Sequence, residues 1–119
     1  QWQEALQLLG RMQTPDVISY NAAISACEKA GRSEEALQLL DSMSDAGVAP
    51  DVISFSAAIS ACEKAGQSEE ALQLLDRMSD AGVAPDVISF SAAISACEKA
   101  GQSEEALQLL DSMSDAGVA

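Results

Sequence analysis

The chain has 119 residues, a formal net charge of −13 and no histidine. The lack of histidine excludes histidine-based acid–base or nucleophilic catalysis and disfavours a zinc site. No apolar run reaches the ~18 residues of a membrane span, no cleavable signal is visible, and only six basic residues oppose nineteen acidic ones.

The segment 1–16 predicts a lone helix followed by a turn. Its apolar residues match a later segment position by position: Ala5, Leu6, Leu8, Leu9 and Met12 correspond to Ala36, Leu37, Leu39, Leu40 and Met43. The exit from Met12 to Pro15 is shorter than the exit from Met43 to Pro50. The chain also begins in mid-repeat without a methionine, and we therefore expect it to be part of a longer protein.

A block of 35 residues that starts at Pro15 returns almost letter for letter at Pro50 and at Pro85. In the second block Asp51 predicts a helix N-cap. An apolar stripe at helical spacing follows it, formed by Val52, Phe55, Ile59 and Cys62. Gly66 is expected to end this first helix, because glycine commonly follows a helix C-terminus.

A second helix is predicted in the same block. Ser68 is a candidate N-cap, with Glu69 and Glu70 in the first turn, where the helix dipole favours negative charge. The apolar stripe of this helix consists of Ala71, Leu74, Leu75 and Met78. Two short antiparallel helices per 35-residue unit predict an all-α fold, an α-solenoid of stacked two-helix repeats.

We therefore expect a partial unit followed by three repeats. The boundaries are 1–16 for the partial second helix, 17–51 for repeat 1, 52–86 for repeat 2 and 87–119 for a truncated repeat 3. Both ends lack a polar cap, so we expect exposed apolar flanks at Leu6 and Leu9 at one end and at Leu107 and Leu110 at the other. This exposure predicts head-to-tail self-association or marginal stability in isolation.

The three cysteines occupy the same position in successive units: Cys27, Cys62 and Cys97. Equivalent positions in stacked helices lie ~9–10 Å apart, beyond the Cα separation that a disulfide tolerates. We expect buried reduced thiols, which fits a reducing compartment, and neither a metal nor a cofactor.

The stretch V-I-S-Y-N-A-A-I-S-A-C-E-K-A-G at 17–31, then S-E-E-A-L-Q-L-L-D-S-M and A-G-V-A-P-D, resembles the pentatricopeptide repeat. The resemblance covers essentially the whole chain. It implies a right-handed superhelix that binds single-stranded RNA, one base per repeat. It also suggests a mitochondrial or plastid protein that acts in organellar RNA processing, stability, editing or translation.

In this family the fifth and last residues of a unit discriminate the base, and the second residue sandwiches it. Carried over, the resemblance implies that Asn21 with Asp51 reads uracil and that Ser56 with Asp86 reads guanine. Ser91 suggests a purine, its partner position lying beyond Ala119. The implied readout is 5′-U-G-purine-3′, with Ile18, Ile53 and Ile88 as the sandwiching residues.

Each of these positions also has a purely structural interpretation. Asp51 and Asp86 suit N-caps whether or not RNA binds, although a cap can use one oxygen and leave the other to a base. The residues at the fifth position could simply face solvent, and the isoleucines could pack between repeats. Lys29, Lys64 and Lys99 match a phosphate-contacting lysine of the family, or complement a helix dipole. Each lysine follows a glutamate, which weakens the local positive field.

The first functional hypothesis is therefore sequence-dependent single-stranded RNA binding. The alternative is an acidic protein-interaction scaffold that binds no RNA. An enzyme is not expected, since the chain also lacks the H-x-E and P-C-x-x-C pattern of the zinc deaminases that accompany some family members.

Overall fold

The structure, a computed structural model, describes residues 1–12 and 15–118. The predicted segments 1–16 and 87–119 therefore extend over Gln13, Thr14 and Ala119, which lie outside the described residues. The described part contains seven helices: α1 (Trp2–Arg11), α2 (Val17–Lys29), α3 (Ser33–Asp45), α4 (Val52–Lys64), α5 (Ser68–Asp80), α6 (Val87–Lys99) and α7 (Ser103–Asp115). The expected all-α solenoid of two-helix units is confirmed.

The first helix of each unit begins after an aspartate that caps it. The side chains of Asp16, Asp51 and Asp86 accept a hydrogen bond from the backbone N–H three residues later. That N–H belongs to the first turn and has no partner within the helix, so the cap stabilises the start of the helix by about 1 kcal/mol. The caps expected at Asp51 and Asp86 are thus confirmed.

The first helix ends at a left-handed glycine and leads directly into the second. Gly66 has φ +72°, and the backbone N–H of Gln67 donates to the carbonyl of Cys62 at 2.9 Å. The carbonyl of Gln67 already accepts from Ala71, so Gln67 is the N-cap and Ser68 is the first helical residue. The predicted cap at Ser68 is therefore wrong, because the glycine turn starts the helix one residue earlier.

The first helices form a continuous row. α2 packs against α4, and α4 against α6, while α3 and α5 each pack between the first helix of their own unit and that of the next. The core lies in these contacts, where Ile24, Leu40, Met43, Ile59, Leu74 and Met78 are fully buried. Burial of one such side chain contributes roughly 1.5–3 kcal/mol, so stability comes from contacts between neighbouring units. The resulting body measures 44 × 26 × 20 Å.

The helices at the two ends are only partly covered. Leu110 on α7 is 48% exposed, whereas its counterpart Leu40 is fully buried, because the first helix of a following unit packs on Leu40. Leu107 on α7 and Leu8 on α1 are each 61% exposed. The predicted exposure of apolar leucines at both ends is confirmed for Leu107 and Leu110. It is wrong for Leu9, which is buried because α1 packs against α2, and Leu6 is half-buried against the core.

The cysteines lie inside the stack. Cys27, Cys62 and Cys97 are buried and free. Burial raises the pKa of all three thiols, and that of Cys62 reaches about 11, with a smaller contribution from Glu70. They therefore act as small apolar core residues at neutral pH. Among the described residues, no helix combines the length and the apolar character required to span a membrane.

Candidate nucleic-acid interface

The free face of the row of first helices carries an exposed isoleucine in each unit. Ile18 is 74% exposed, and Ile53 and Ile88 are each 57% exposed. Packing between units, the structural interpretation of these residues, accounts only for the minor covered part of each side chain. The three isoleucines are instead regularly spaced along one solvent-accessible face.

A hydrogen-bonded cluster lies beside Ile53, at the junction of α2 and α4. The Asn21 amide nitrogen donates to Oδ1 of Asp51 at 3.0 Å, and the Ser54 hydroxyl donates to the amide oxygen of Asn21 at 2.5 Å. Oδ1 of Asp51 also accepts the capping bond from the backbone N–H of Ser54 at 3.0 Å. The fifth residue of one unit and its last residue are therefore joined through the start of the next helix.

This cluster leaves one acceptor and one donor available. All the hydrogen bonds described at the Asp51 carboxylate use Oδ1, so Oδ2 has no partner within the described residues. Asn21 is 9% exposed and keeps a second amide hydrogen. Burial alone would raise the pKa of Asp51, but the hydrogen bonds from Ser54 and Asn21 outweigh it and lower that pKa. Asp51 is therefore anionic at neutral pH.

In the second unit the fifth and last residues are also hydrogen-bonded to each other, but the hydroxyl of Ser89 donates to Asp86 and not to the fifth residue. The Ser56 hydroxyl donates to Oδ1 of Asp86 at 3.3 Å, and Ser56 is 6% exposed. Here a groove of about 220 Å³ opens between the two isoleucines Ile53 and Ile88. Ser56 and Asp86 line this groove, so a polar pair lies between two apolar walls. The alternative interpretation, that the fifth residue of each unit simply faces solvent, is wrong for Asn21 and Ser56, because both are buried.

The third unit differs, because Ser91 is exposed. Its counterpart Ser56 is covered by Asp86, the last residue of its own unit, which caps the first helix of the next. The structure thus brings together Asn21 with Asp51 and Ser56 with Asp86, whereas Ser91 has no such partner in the described part of the chain.

The lysine that recurs in each unit differs in its ion pairing from one unit to the next. Lys64 forms an ion pair with Glu28, and Lys99 forms one with Glu63, in each case across the junction between successive first helices. Lys29 is exposed and forms no ion pair within residues 1–12 and 15–118. Two of the three candidate phosphate-contacting lysines are therefore already paired with a carboxylate.

Most of the remaining negative charge lies on the second helices. Their first turns carry Glu34 and Glu69, both exposed. One surface ion pair, between Arg77 and Asp41 at 3.0 Å, links α5 to α3. Trp2 is partly buried against the core and lies under the guanidinium of Arg32, 4.4 Å from the ring centroid, so it packs within the protein.

Sequence reasoning missed two features of this face. The bond from Ser54 to Asn21 depends on the register between adjacent units, whereas the side chain of its counterpart Ser89 bonds, within the described residues, only to Asp86. The Glu28–Lys64 and Glu63–Lys99 pairs join residues 36 positions apart, so the repeated Glu-Lys dipeptide combined with the 35-residue period could have indicated them. The sequence analysis considered only the effect of each glutamate on the lysine that directly follows it, and not on the lysine of the next unit.

Models of known protein families match most of the chain. A family model described as "PPR repeat family" matches residues 15–64 and 50–99, and one described as "PPR repeat" matches residues 88–118. No curated protein sequence gives a significant match.

Solved structures show the same fold. The pentatricopeptide repeat protein PPR10 in complex with an 18-nt psaJ RNA element is 30% identical over 100% of this chain and 18% of its own, with a TM-score of 0.84. PPR10 from maize is 25% identical over 98% of this chain and 17% of its own, with a TM-score of 0.82. The PPR domain of Arabidopsis thaliana protein-only RNase P 1 in complex with tRNA is 18% identical over 99% and 65%, with a TM-score of 0.87, a likeness of fold alone. This chain spans less than a fifth of the PPR10 chains.

Proposed function

Because the chain belongs to the pentatricopeptide repeat family, we propose that it binds single-stranded RNA along the row of first helices, one base per unit. The groove between Ile53 and Ile88, with Ser56 and Asp86 between them, is the observation that carries the proposal. Apolar side chains can stack against both faces of a base, while the polar pair meets its hydrogen-bonding edge. PPR10, of which this chain matches a segment, is an RNA-bound relative.

The polar pairs support the readout 5′-U-G-purine-3′. In the first unit, the free Oδ2 of Asp51 can accept a hydrogen bond from a base N–H, and the second amide hydrogen of Asn21 can donate to a base carbonyl. Uracil offers both groups on one edge. The amide of Asn21 also occupies more of this site than a serine does, which favours the smaller pyrimidine.

In the second unit, Ser56 replaces that amide with a hydroxyl and leaves more space for a purine. Guanine offers N–H groups that can donate to the Asp86 carboxylate. The exposed Ser91 carries the same small side chain, so a purine is the matching base there as well. Ile18, Ile53 and Ile88 are the sandwiching residues in this proposal.

A direct test titrates the chain against short labelled RNAs that differ only in a central U-G-A or C-C-C triplet. Tighter binding to U-G-A supports both RNA binding and the assigned base positions. Equal binding to the two RNAs means that the polar pairs do not read bases. If neither RNA binds even at low salt while a basic peptide does, the protein-interaction scaffold replaces RNA binding as the function.

A further inference from the structure

Two glutamates hold lysines across the junctions between first helices. Glu28 pairs with Lys64, and Glu63 pairs with Lys99. The glutamate side chains are only 16% and 14% exposed, whereas the lysine side chains are 47% and 56% exposed. In each pair the acid is therefore largely covered, and the base remains accessible to solvent.

Because the glutamates are more deeply covered than the lysines, each glutamate needs its lysine as a partner. A carboxylate that is mostly removed from water loses much of its solvation and requires a cationic or hydrogen-bonding partner. Glu63 has such a partner besides Lys99, because the Ser95 hydroxyl donates to it at 3.2 Å. A phosphate that withdrew Lys99 would leave Glu63 with that single hydrogen bond. The formation of a lysine–phosphate contact therefore requires the loss of a lysine–glutamate ion pair, which reduces the net gain in binding free energy.

The first pair lies beside the candidate base site. Glu28 lines the same groove as Ile53 and Ser56. An RNA strand with a base in this groove would thus bring its backbone close to the Glu28–Lys64 pair. Both charges of the pair would act on the strand, and the negative charge of Glu28 offsets part of the attraction that Lys64 exerts on a phosphate.

We propose that Glu28 and Glu63 compete with RNA phosphate for Lys64 and Lys99, and thereby set the strength and salt dependence of RNA binding. The inference rests on the proposed function and assigns these two glutamates a role in it. The array then gains little sequence-independent attraction from two of its lysines, and its affinity depends mainly on base contacts.

The test compares two double variants of equal charge. Glu28→Gln with Glu63→Gln removes the competing carboxylates but keeps their shape, whereas Glu34→Gln with Glu69→Gln removes two exposed charges from the second helices. Two released lysines should steepen the slope of log K against log salt by about 1.4 for single-stranded RNA. At 0.15 M salt this corresponds to roughly tenfold tighter binding of both U-G-A and C-C-C RNA. The control variant should gain less than about threefold, because screening limits distant charges.

A second probe separates this inference from the base-reading proposal. Inorganic tripolyphosphate carries phosphates without bases, and the Glu28→Gln/Glu63→Gln protein should bind it at least several-fold more tightly than the control variant does. Equal binding of the two RNAs by the original chain would overturn base reading, while the tripolyphosphate comparison would still decide the role of the glutamates. If the double variant gains no more than the control for either RNA or tripolyphosphate, the competition proposal is wrong.

Discussion

The Asn21 amide nitrogen lies 3.0 Å from Oδ1 of Asp51, thirty residues further along the chain. The same carboxylate oxygen caps helix α4. One aspartate therefore joins the candidate base-reading residue of one unit to the first turn of the next, and its second oxygen remains available to a ligand.

Exchange of the fifth residues should exchange the base preferences. Asn21→Ser should shift the first base from uracil towards guanine, because the smaller side chain opens space beside Asp51. Ser56→Asn should shift the second base from guanine towards uracil. One hydrogen bond gained or lost corresponds to about 1 kcal/mol, or roughly fivefold in affinity. Binding to U-G-A, G-G-A and U-U-A RNAs measures both shifts, and unchanged preferences in both variants would refute the base assignment.

The two roles of Asp51 can be separated by substitution. Asparagine caps helices about as well as aspartate does, so Asp51→Asn should change the free energy of unfolding by less than about 0.5 kcal/mol. Asp51→Ala should lower it by about 1–2 kcal/mol. Both variants should bind U-G-A RNA less tightly, because each lacks the anionic oxygen. Urea unfolding and RNA titration are the measurements, and an Asp51→Asn protein with unchanged RNA affinity would limit this residue to capping.

Stability should fall at high pH through Cys62. Burial raises the pKa of this thiol from its ordinary 9.0 to about 11 in the folded protein. The unfolded chain then loses the proton first, so the stabilising contribution is complete below pH 9 and is lost as the pH rises towards 11. The loss is on the order of 2 kcal/mol. Urea unfolding between pH 8 and 11 should show a shallower decline for Cys62→Ala, and parallel curves would contradict the prediction.

The buried amide oxygen of Gln67 offers a stabilising substitution. Within the described residues this oxygen has no hydrogen-bond partner, and such a group costs about 1–3 kcal/mol. Gln67→Met keeps the length of the side chain and removes the polar atom, so the free energy of unfolding should rise by roughly 1 kcal/mol. Gln73→Met, at an exposed position, is the control and should have little effect. A lower melting temperature for Gln67→Met alone would indicate that the oxygen is satisfied in solution.

A polypeptide of these 119 residues should self-associate through its exposed leucines. Leu110 and Leu107 together form an apolar surface on α7 that no helix within residues 1–12 and 15–118 covers. Leu110→Lys should weaken association, because a charged side chain resists burial. Sedimentation velocity over a hundredfold concentration range measures this effect. A monomer at all concentrations would refute the prediction.

The architecture followed from local sequence signals, and the site only partly did. The period, Asp51 before an apolar stripe and Gly66 after it were sufficient to predict the helices, because caps and glycine turns act over a few residues. The sequence could not show whether Ile53 is buried between units or exposed to a ligand, since an apolar residue suits either position. Ser54 and the Glu28–Lys64 pair depend on how two units fit together, which no single unit encodes.

The shared aspartate has a consequence for the exchange of repeats between arrays. A segment cut at the Pro-Asp junction separates Asn21 from the carboxylate that orients it, and supplies that carboxylate from whichever unit is joined next. A cassette that begins just before the fifth residue of one first helix and ends after the first turn of the next keeps Asn21, Asp51 and Ser54 together, although it divides helix α4. Recombination that preserves base preference should therefore carry the fifth residue of a unit together with the first turn of the unit after it.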